Sequence, residues 1–294
     1  MPRLYGENAP ARKPDWLKIK LHKSDAFAEV ARIVQEHSLH TICSSGRCPN
    51  KAECWSRHTA TFMIMGDVCT RGCRFCATKT GVPLPLNDDE PQNVAESVNL
   101  MGLRHVVVTS VTRDDLVDGG AEHWAKTVKA IRAKNPSTTI ELLISDLDAR
   151  PDLLEVVAAS KPDIIGHNIE TVERLTPTVR AKATYRTSLA TLAHLAKMGV
   201  TTKSGLMVGL GESEEEVEQT LKDLREAGVR LLTIGQYLRP SEEQVPVEEY
   251  ITPEQFDRYR TMALDLGFDY CASAPLVRSS YLAEEAWKAV TSKR

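Results

Sequence analysis

Cys69-Thr70-Arg71-Gly72-Cys73-Arg74-Phe75-Cys76 follows directly on Thr61-Phe62-Met63-Ile64-Met65, an apolar run that reads as a first strand. Three thiols at a C-x3-C-x2-C spacing sit on one short loop, and Gly72 and the small Thr70 let its backbone curl. Three thiolates can hold three irons of a [4Fe–4S] cube and leave the fourth without a protein ligand. A zinc site or a disulfide is the alternative. Structural zinc sites pair two cysteine hooks or add histidines, and no second hook stands at the usual distance.

Downstream of this loop the chain alternates strand and helix. Strands are expected at 106–109, 140–144, 163–165, 206–208 and 231–234, with amphipathic helices near 91–101, 121–134, 151–159, 187–198, 213–227 and 252–266. Ser213 with Glu216 predicts a capping box, as does Thr252 with Gln255, Pro151 opens a helix, and Gly228 and Gly267 stand where left-handed C-terminal residues belong. Near-continuous apolar strands separated by helices imply a parallel sheet covered on both faces. Six such units close only part of the circle that eight would complete, which predicts an α/β partial (β/α)6 barrel of the TIM type. Active groups should gather at the C-terminal strand ends.

Upstream, Ser24 is expected to cap a helix over 25–37. It leads into Cys43-Ser44-Ser45-Gly46-Arg47-Cys48-Pro49-Asn50-Lys51-Ala52-Glu53-Cys54, a C-x4-C-x5-C run read as a flexible loop. This second trio again suits a cluster with one position left over. An unusual zinc loop is the other reading, with His58 as its nearest spare ligand. Six of the seven cysteines fall between positions 43 and 76, a crowding that favours clusters over disulfides. Cys271 stands apart and reads as a small buried hydrophobe.

The 294 residues carry 37 Lys+Arg against 40 Asp+Glu, a net charge of −3, with no long basic run, so nucleic acid is a poor partner. No apolar run is long enough to span a bilayer, and the polar opening, with Glu7 and Asp15, lacks the marks of a signal or transit peptide. A cytoplasmic, reducing location is expected, and residues 1–23 read as a polar arm. The organisation predicted is an N-terminal extension over 1–58, a barrel over 59–270 and a C-terminal extension over 271–294, both extensions packing at the barrel mouth.

The C-x3-C-x2-C loop with Phe75 before its last cysteine resembles the signature of radical S-adenosylmethionine (radical SAM) enzymes. The resemblance implies that Cys69, Cys73 and Cys76 ligate a cluster whose open iron chelates the amine and carboxylate of SAM. Gly205-Leu206-Met207-Val208-Gly209-Leu210-Gly211-Glu212 is similar to the family's adenine-lining G-x-I-x-G-x-x-E element, with Met207 in place of isoleucine and Gly209 at its centre. Asn168 and Glu170 alternate at a strand end and either hold a ribose diol or form a satisfied polar pair at the rim. The family's Gly-Gly-Glu stretch is replaced by Thr109-Ser110-Val111-Thr112-Arg113-Asp114-Asp115, which leaves Thr112 and Asp114 as candidates for the methionine amine. Arg180 and Arg186 are candidates for the SAM carboxylate, or else solvated arginines.

The two cysteine runs together with Arg278-Ser279-Ser280-Tyr281 resemble the lipoyl synthase family over nearly the whole chain. That resemblance implies two [4Fe–4S] clusters, the second held by Cys43, Cys48, Cys54 and Ser280. It also implies insertion of two sulfur atoms at C6 and C8 of an octanoyl chain on a lysine of a lipoyl carrier, such as the glycine cleavage H protein or a 2-oxo acid dehydrogenase E2 subunit. A flavodoxin- or ferredoxin-type reductant and iron–sulfur assembly or repair proteins are the further implied partners.

Overall fold

The computed structural model describes residues 12–18 and 24–292. Most of the polar arm read over 1–23 lies outside them. The chain forms two compact units, one built from 24–72 and 78–165, the other from 12–18, 73–77 and 166–292.

The first unit begins with α1 (Asp25–Glu36), where the Ser24 hydroxyl accepts from the Phe27 N–H as its sequence pattern predicts. After β1 (His40–Thr41) come two short helices, α2 (Ile42–Ser45) and α3 (Lys51–Ser56). The first cysteine trio is therefore more ordered than the flexible loop expected of it. Thr41 caps α2 by accepting from Ser44 N–H, Gly46 ends that helix, and Pro49 separates it from α3.

β2 (Thr61–Ile64) runs antiparallel to β1 and parallel to β5 (His105–Ser110), which pairs in parallel with β6 (Thr139–Leu143). Between β2 and β5 lie the two-residue strands β3 (Val68–Cys69) and β4 (Lys79–Thr80), paired with each other, and α4 (Glu90–Leu100). α5 (Ala121–Lys134) and α6 (Pro151–Ala159) follow β5 and β6. Phe62, Ile64, Val106, Val108, Ile140 and Leu142 are wholly buried. Their alternate neighbours Met63 and Val107 are buried too, as in a sheet covered on both faces.

β7 (Ile164–Gly166) falls at the division between the units. The second unit continues through α7 (Thr176–Val179) and α8 (Tyr185–Lys197) to β8 (Thr201–Val208), α9 (Glu214–Glu226) and β9 (Leu231–Gln236). α10 (Pro253–Asp265), β10 (Tyr270–Ser273) and α11 (Ala283–Thr291) complete it. β8, β9 and β10 are parallel neighbours. Leu192, Val208, Val217, Leu221, Leu232, Ile234 and Phe256 make the core between these strands and helices.

The Ser213–Glu216 capping box is complete, whereas at Thr252 only the hydroxyl arm to Gln255 N–H forms. Gly228 and Gly267 adopt φ of 83° and 89°. The result is a mostly parallel α/β fold of strand–helix repeats, and no closed barrel forms among the described residues.

Candidate active site

All seven cysteines are free thiols, so neither run is a disulfide framework. In the first unit Cys43, on α2, is buried, and its carbonyl accepts from the Cys48 N–H. Cys54, on α3, is pushed up to about 12 by burial and then by the nearby Cys43 and Cys48 thiols. His58 lies 3.0 Å from Glu29 in an exposed pair. Among the described residues no three His, Cys, Asp or Glu groups converge as a single-ion site requires. A cubane asks something different, one thiolate for each of three irons.

Cys69 ends β3, and two backbone N–H groups, those of Arg71 and Thr112, donate to its sulfur at 3.4 and 3.3 Å. Thr70 is fastened to the same segment. Its N–H and hydroxyl both donate to the Thr112 carbonyl, and its hydroxyl oxygen accepts from Asp114 N–H. The Asp114 carboxylate meets Arg71 side-on, at 2.8 Å through both Nε and Nη2. Thr112 and Asp114, expected near the methionine amine, thus serve first to hold the cysteine loop.

Arg71 was invisible as a functional residue in the sequence. Its side chain is buried and also reaches Asp146 at 2.6 Å and Asp148 at 3.2 Å. The only hint is an acidic residue after each neighbouring strand. A second unforeseen group is Glu90, at the start of α4. Its carboxylate accepts from Met65 N–H and meets His123 Nε2, both at 2.7 Å. It thereby holds Met65 at φ 69° ahead of β3. Gly120 has to be glycine there, since a Cβ would lie 2.3 Å from the Met65 sulfur.

The second unit holds Cys73 and Cys76. Burial raises the Cys73 thiol, the Ala181 N–H and the Arg180 charge oppose that, and Glu170 and Cys76 add to it. Phe75 and Met207 pack against one apolar cluster of Val179, Leu210, Tyr237 and Val247. Asn168 and Glu170 flank Ile169, which is wholly buried on the opposite face, the alternation expected. Glu170 lies beside β8, its N–H bonded to the Gly205 carbonyl and its carbonyl accepting from Met207 N–H. Burial raises the Glu170 carboxyl, against the pull of Arg180 and of a hydrogen bond from Asn168.

Arg180 donates through Nη1 to Ser188 at 2.7 Å and to the Asn168 carbonyl at 3.2 Å. Its Nε is buried with no hydrogen-bond partner. An orphaned guanidinium donor beside Glu170 and Cys73 fits a ligand carboxylate. Arg186 does not belong here; it forms an exposed pair with Glu173. Gly209 adopts φ 93° where a Cβ would strike Gln236 and the Glu249 carbonyl, and the buried Glu212 carboxylate accepts from the Gly209 and Leu210 N–H groups.

The tail returns to these strand ends. Ser279 accepts from Asn168 Nδ2 at 2.7 Å. A Cβ on Gly205 would lie 2.6 Å from the Asn168 amide oxygen and 3.0 Å from the Ser279 hydroxyl. A Cβ on Gly235 would lie 2.2 Å from the Val277 carbonyl. Ser280, half-buried, follows in a turn closed by Tyr281 N–H to the Arg278 carbonyl.

Residues 63–224 match the model of the Radical SAM superfamily. The fold agrees: methylornithine synthase (PylB) superposes with a TM-score of 0.57 at 12% identity, covering 87% of each chain. HydG, a maturase of the [FeFe]-hydrogenase, gives 0.55 at 12%, covering 85% of this chain and 73% of its own. The chain belongs to the radical SAM superfamily and, within it, to the lipoyl synthase family. It is 57% identical to the lipoyl synthase of Parabacteroides distasonis over 93% of its own length and 98% of that chain. It is 51% identical to that of Treponema denticola, over 93% and 94%.

Proposed function

We propose that this protein inserts two sulfur atoms at C6 and C8 of an octanoyl group amide-linked to a lysine of a lipoyl carrier protein. An unactivated methylene is far too weak an acid for any side chain to deprotonate, so general base catalysis cannot begin the reaction. When bound, SAM and two [4Fe–4S] clusters supply the hydrogen-abstracting radical and the sulfide that takes the hydrogens' place.

The residues of this chain provide the rest. Cys69, Cys73 and Cys76 hold one cluster, and Cys43, Cys48, Cys54 and Ser280 hold the other. The Arg180 Nε receives the SAM carboxylate, Glu170 and Asn168 the ribose diol, and Met207 and Phe75 provide apolar surface for the adenine end. The hydroxyl of Ser280 is a harder donor than a thiolate, so it would hold its iron less firmly than the three cysteines would hold theirs.

The observation that carries this reading is the 51–57% identity to lipoyl synthases over 93% of the chain, together with the second cysteine trio, Cys43, Cys48 and Cys54, ahead of the Cys69 loop. A family member with a single cluster has no use for that trio. The test is a count of iron and sulfide per anaerobically purified chain, followed by incubation with SAM, a reductant and an octanoyl-lysine peptide. About eight irons per chain are expected, with two sulfurs replacing two hydrogens in the peptide. A chain holding one cube that cleaves SAM but leaves the peptide mass unchanged would sink the proposal.

A further inference from the structure

We propose that Arg71 is a positioning residue that fixes a backbone N–H on the Cys69 sulfur and so sets the reduction potential of the cluster held through Cys69. The inference rests on the reading of Cys69, Cys73 and Cys76 as ligands of a SAM-binding cluster.

The Thr112 N–H reaches the Cys69 sulfur at 3.3 Å, and the segment from Thr112 to Asp114 is irregular backbone beyond the end of β5. Thr70 ties it at the Thr112 carbonyl and the Asp114 N–H, and the fork of Arg71 adds a side-chain hold. Nε and Nη2 hold both oxygens of Asp114, while Nη1 reaches Asp146. A planar guanidinium can span those acceptors in one rigid arrangement, and an ammonium cannot.

A second observation points the same way. Leu147, Asp148 and Ala149 adopt φ of 44°, 53° and 53° in succession. Left-handed backbone is unfavourable for residues with a Cβ. Strain of that kind persists where the surroundings impose it. Here the strained turn follows Asp146 and carries Asp148, both of which face Arg71. Three acidic residues from two loops are held against one arginine that lies two residues from Cys69.

Hydrogen bonds to cluster sulfurs are among the determinants of reduction potential. An N–H directed at a thiolate stabilises the extra electron of the reduced state. Losing it makes the cluster harder to reduce.

The experiment uses the full iron-loaded chain as wild type, Arg71→Lys and Asp114→Asn. A redox titration is followed through the part of the electron paramagnetic resonance signal that SAM perturbs. Both variants are expected to show about a tenfold lower ratio of reduced to oxidised cluster at a fixed potential, a shift of about 59 mV downward for one electron. In the wild type the iron–thiolate stretching bands are expected to move in D2O. An unchanged midpoint in either iron-loaded variant overturns the inference. So does a wild type insensitive to D2O, whether or not the variants fold. A wild type with no SAM-sensitive signal would instead defeat the underlying cluster reading.

Discussion

At the scale of single residues the thiols carry the clearest consequence. A thiol reacts as its thiolate, and Cys54 is pushed up to about 12 from a reference of 9.0. In the iron-free chain near neutral pH its thiolate population is therefore about a thousandfold below that of an unperturbed cysteine. Alkylation of iron-free protein, read by peptide mass spectrometry, is expected to leave Cys54 and the more deeply buried Cys271, whose thiol burial also pushes up to about 12, unmodified long after a free cysteine standard has reacted. Metal binding has to expel these protons, so iron loading should accelerate as the pH is raised. The cysteine positions were plain in the sequence because spacing alone defines such a motif. Arg71 and Glu90 were not, because each works through partners 33 to 77 positions away in the chain, Asp114, Asp146 and Asp148 in one case and His123 in the other. A guanidinium between two cysteines looks like a surface charge until the strand order brings the aspartates to it.

At the scale of elements, the return of the tail depends on glycine. Gly235→Ala drives a methyl group into the Val277 carbonyl, 2.2 Å away. Backbone cannot swing aside as a side chain does, so the segment before Ser280 must shift. Sulfur insertion is expected to fall at least tenfold while SAM cleavage is kept, measured as lipoyl-peptide mass and 5′-deoxyadenosine release from one reaction; equal loss of both would refute it. The start of α9 gives a pH dependence. The Arg174 pair and the Ser213 N–H hold Glu216 down to about 2, from a reference of 4.5. A depressed carboxyl stabilises the fold above the unfolded value and loses that contribution as pH falls through the folded one. Because the pair is largely exposed, its worth is about 1 kcal/mol or less. Glu216→Gln should lower stability by that amount at pH 7 and by almost nothing near pH 2 in urea titrations. The limits of the seven helices read from the sequence fall within two residues of the observed ones, since caps and periodicity coincide, whereas α2, α3, α7 and α11 were not read as helices. β8 was read only over 206–208, although it runs from Thr201. Thr201, Thr202, Lys203 and Ser204 are polar yet buried, and polarity inside a sheet erases the hydrophobic signal by which strands are found.

At the scale of the molecule, five of the seven thiols are only half-buried, Cys43 and Cys271 being the buried ones. Cys271 joins the cluster built on Leu192, Leu221, Leu232 and Phe256, and the other unit buries Phe62, Ile64, Val106, Val108, Ile140 and Leu142 along its sheet. With ~1.5–3 kcal/mol for each large apolar side chain removed from water, the fold needs no metal to be stable. Stripping iron with an oxidant and chelator is therefore expected to leave the far-ultraviolet circular dichroism intact and a cooperative thermal transition in place, in contrast to a zinc finger, which unfolds without its ion. A sequence shows which residues bind metal but not whether the fold leans on it; that depends on whether the ligands sit in the core. Independence of this kind is what the proposed sacrifice of a cluster's sulfide would require. On that proposal the polypeptide would outlive its cargo, its working lifetime would be counted in refills rather than in newly synthesised copies, and the supply of iron and sulfide, not the ribosome, would set the pace at which it serves.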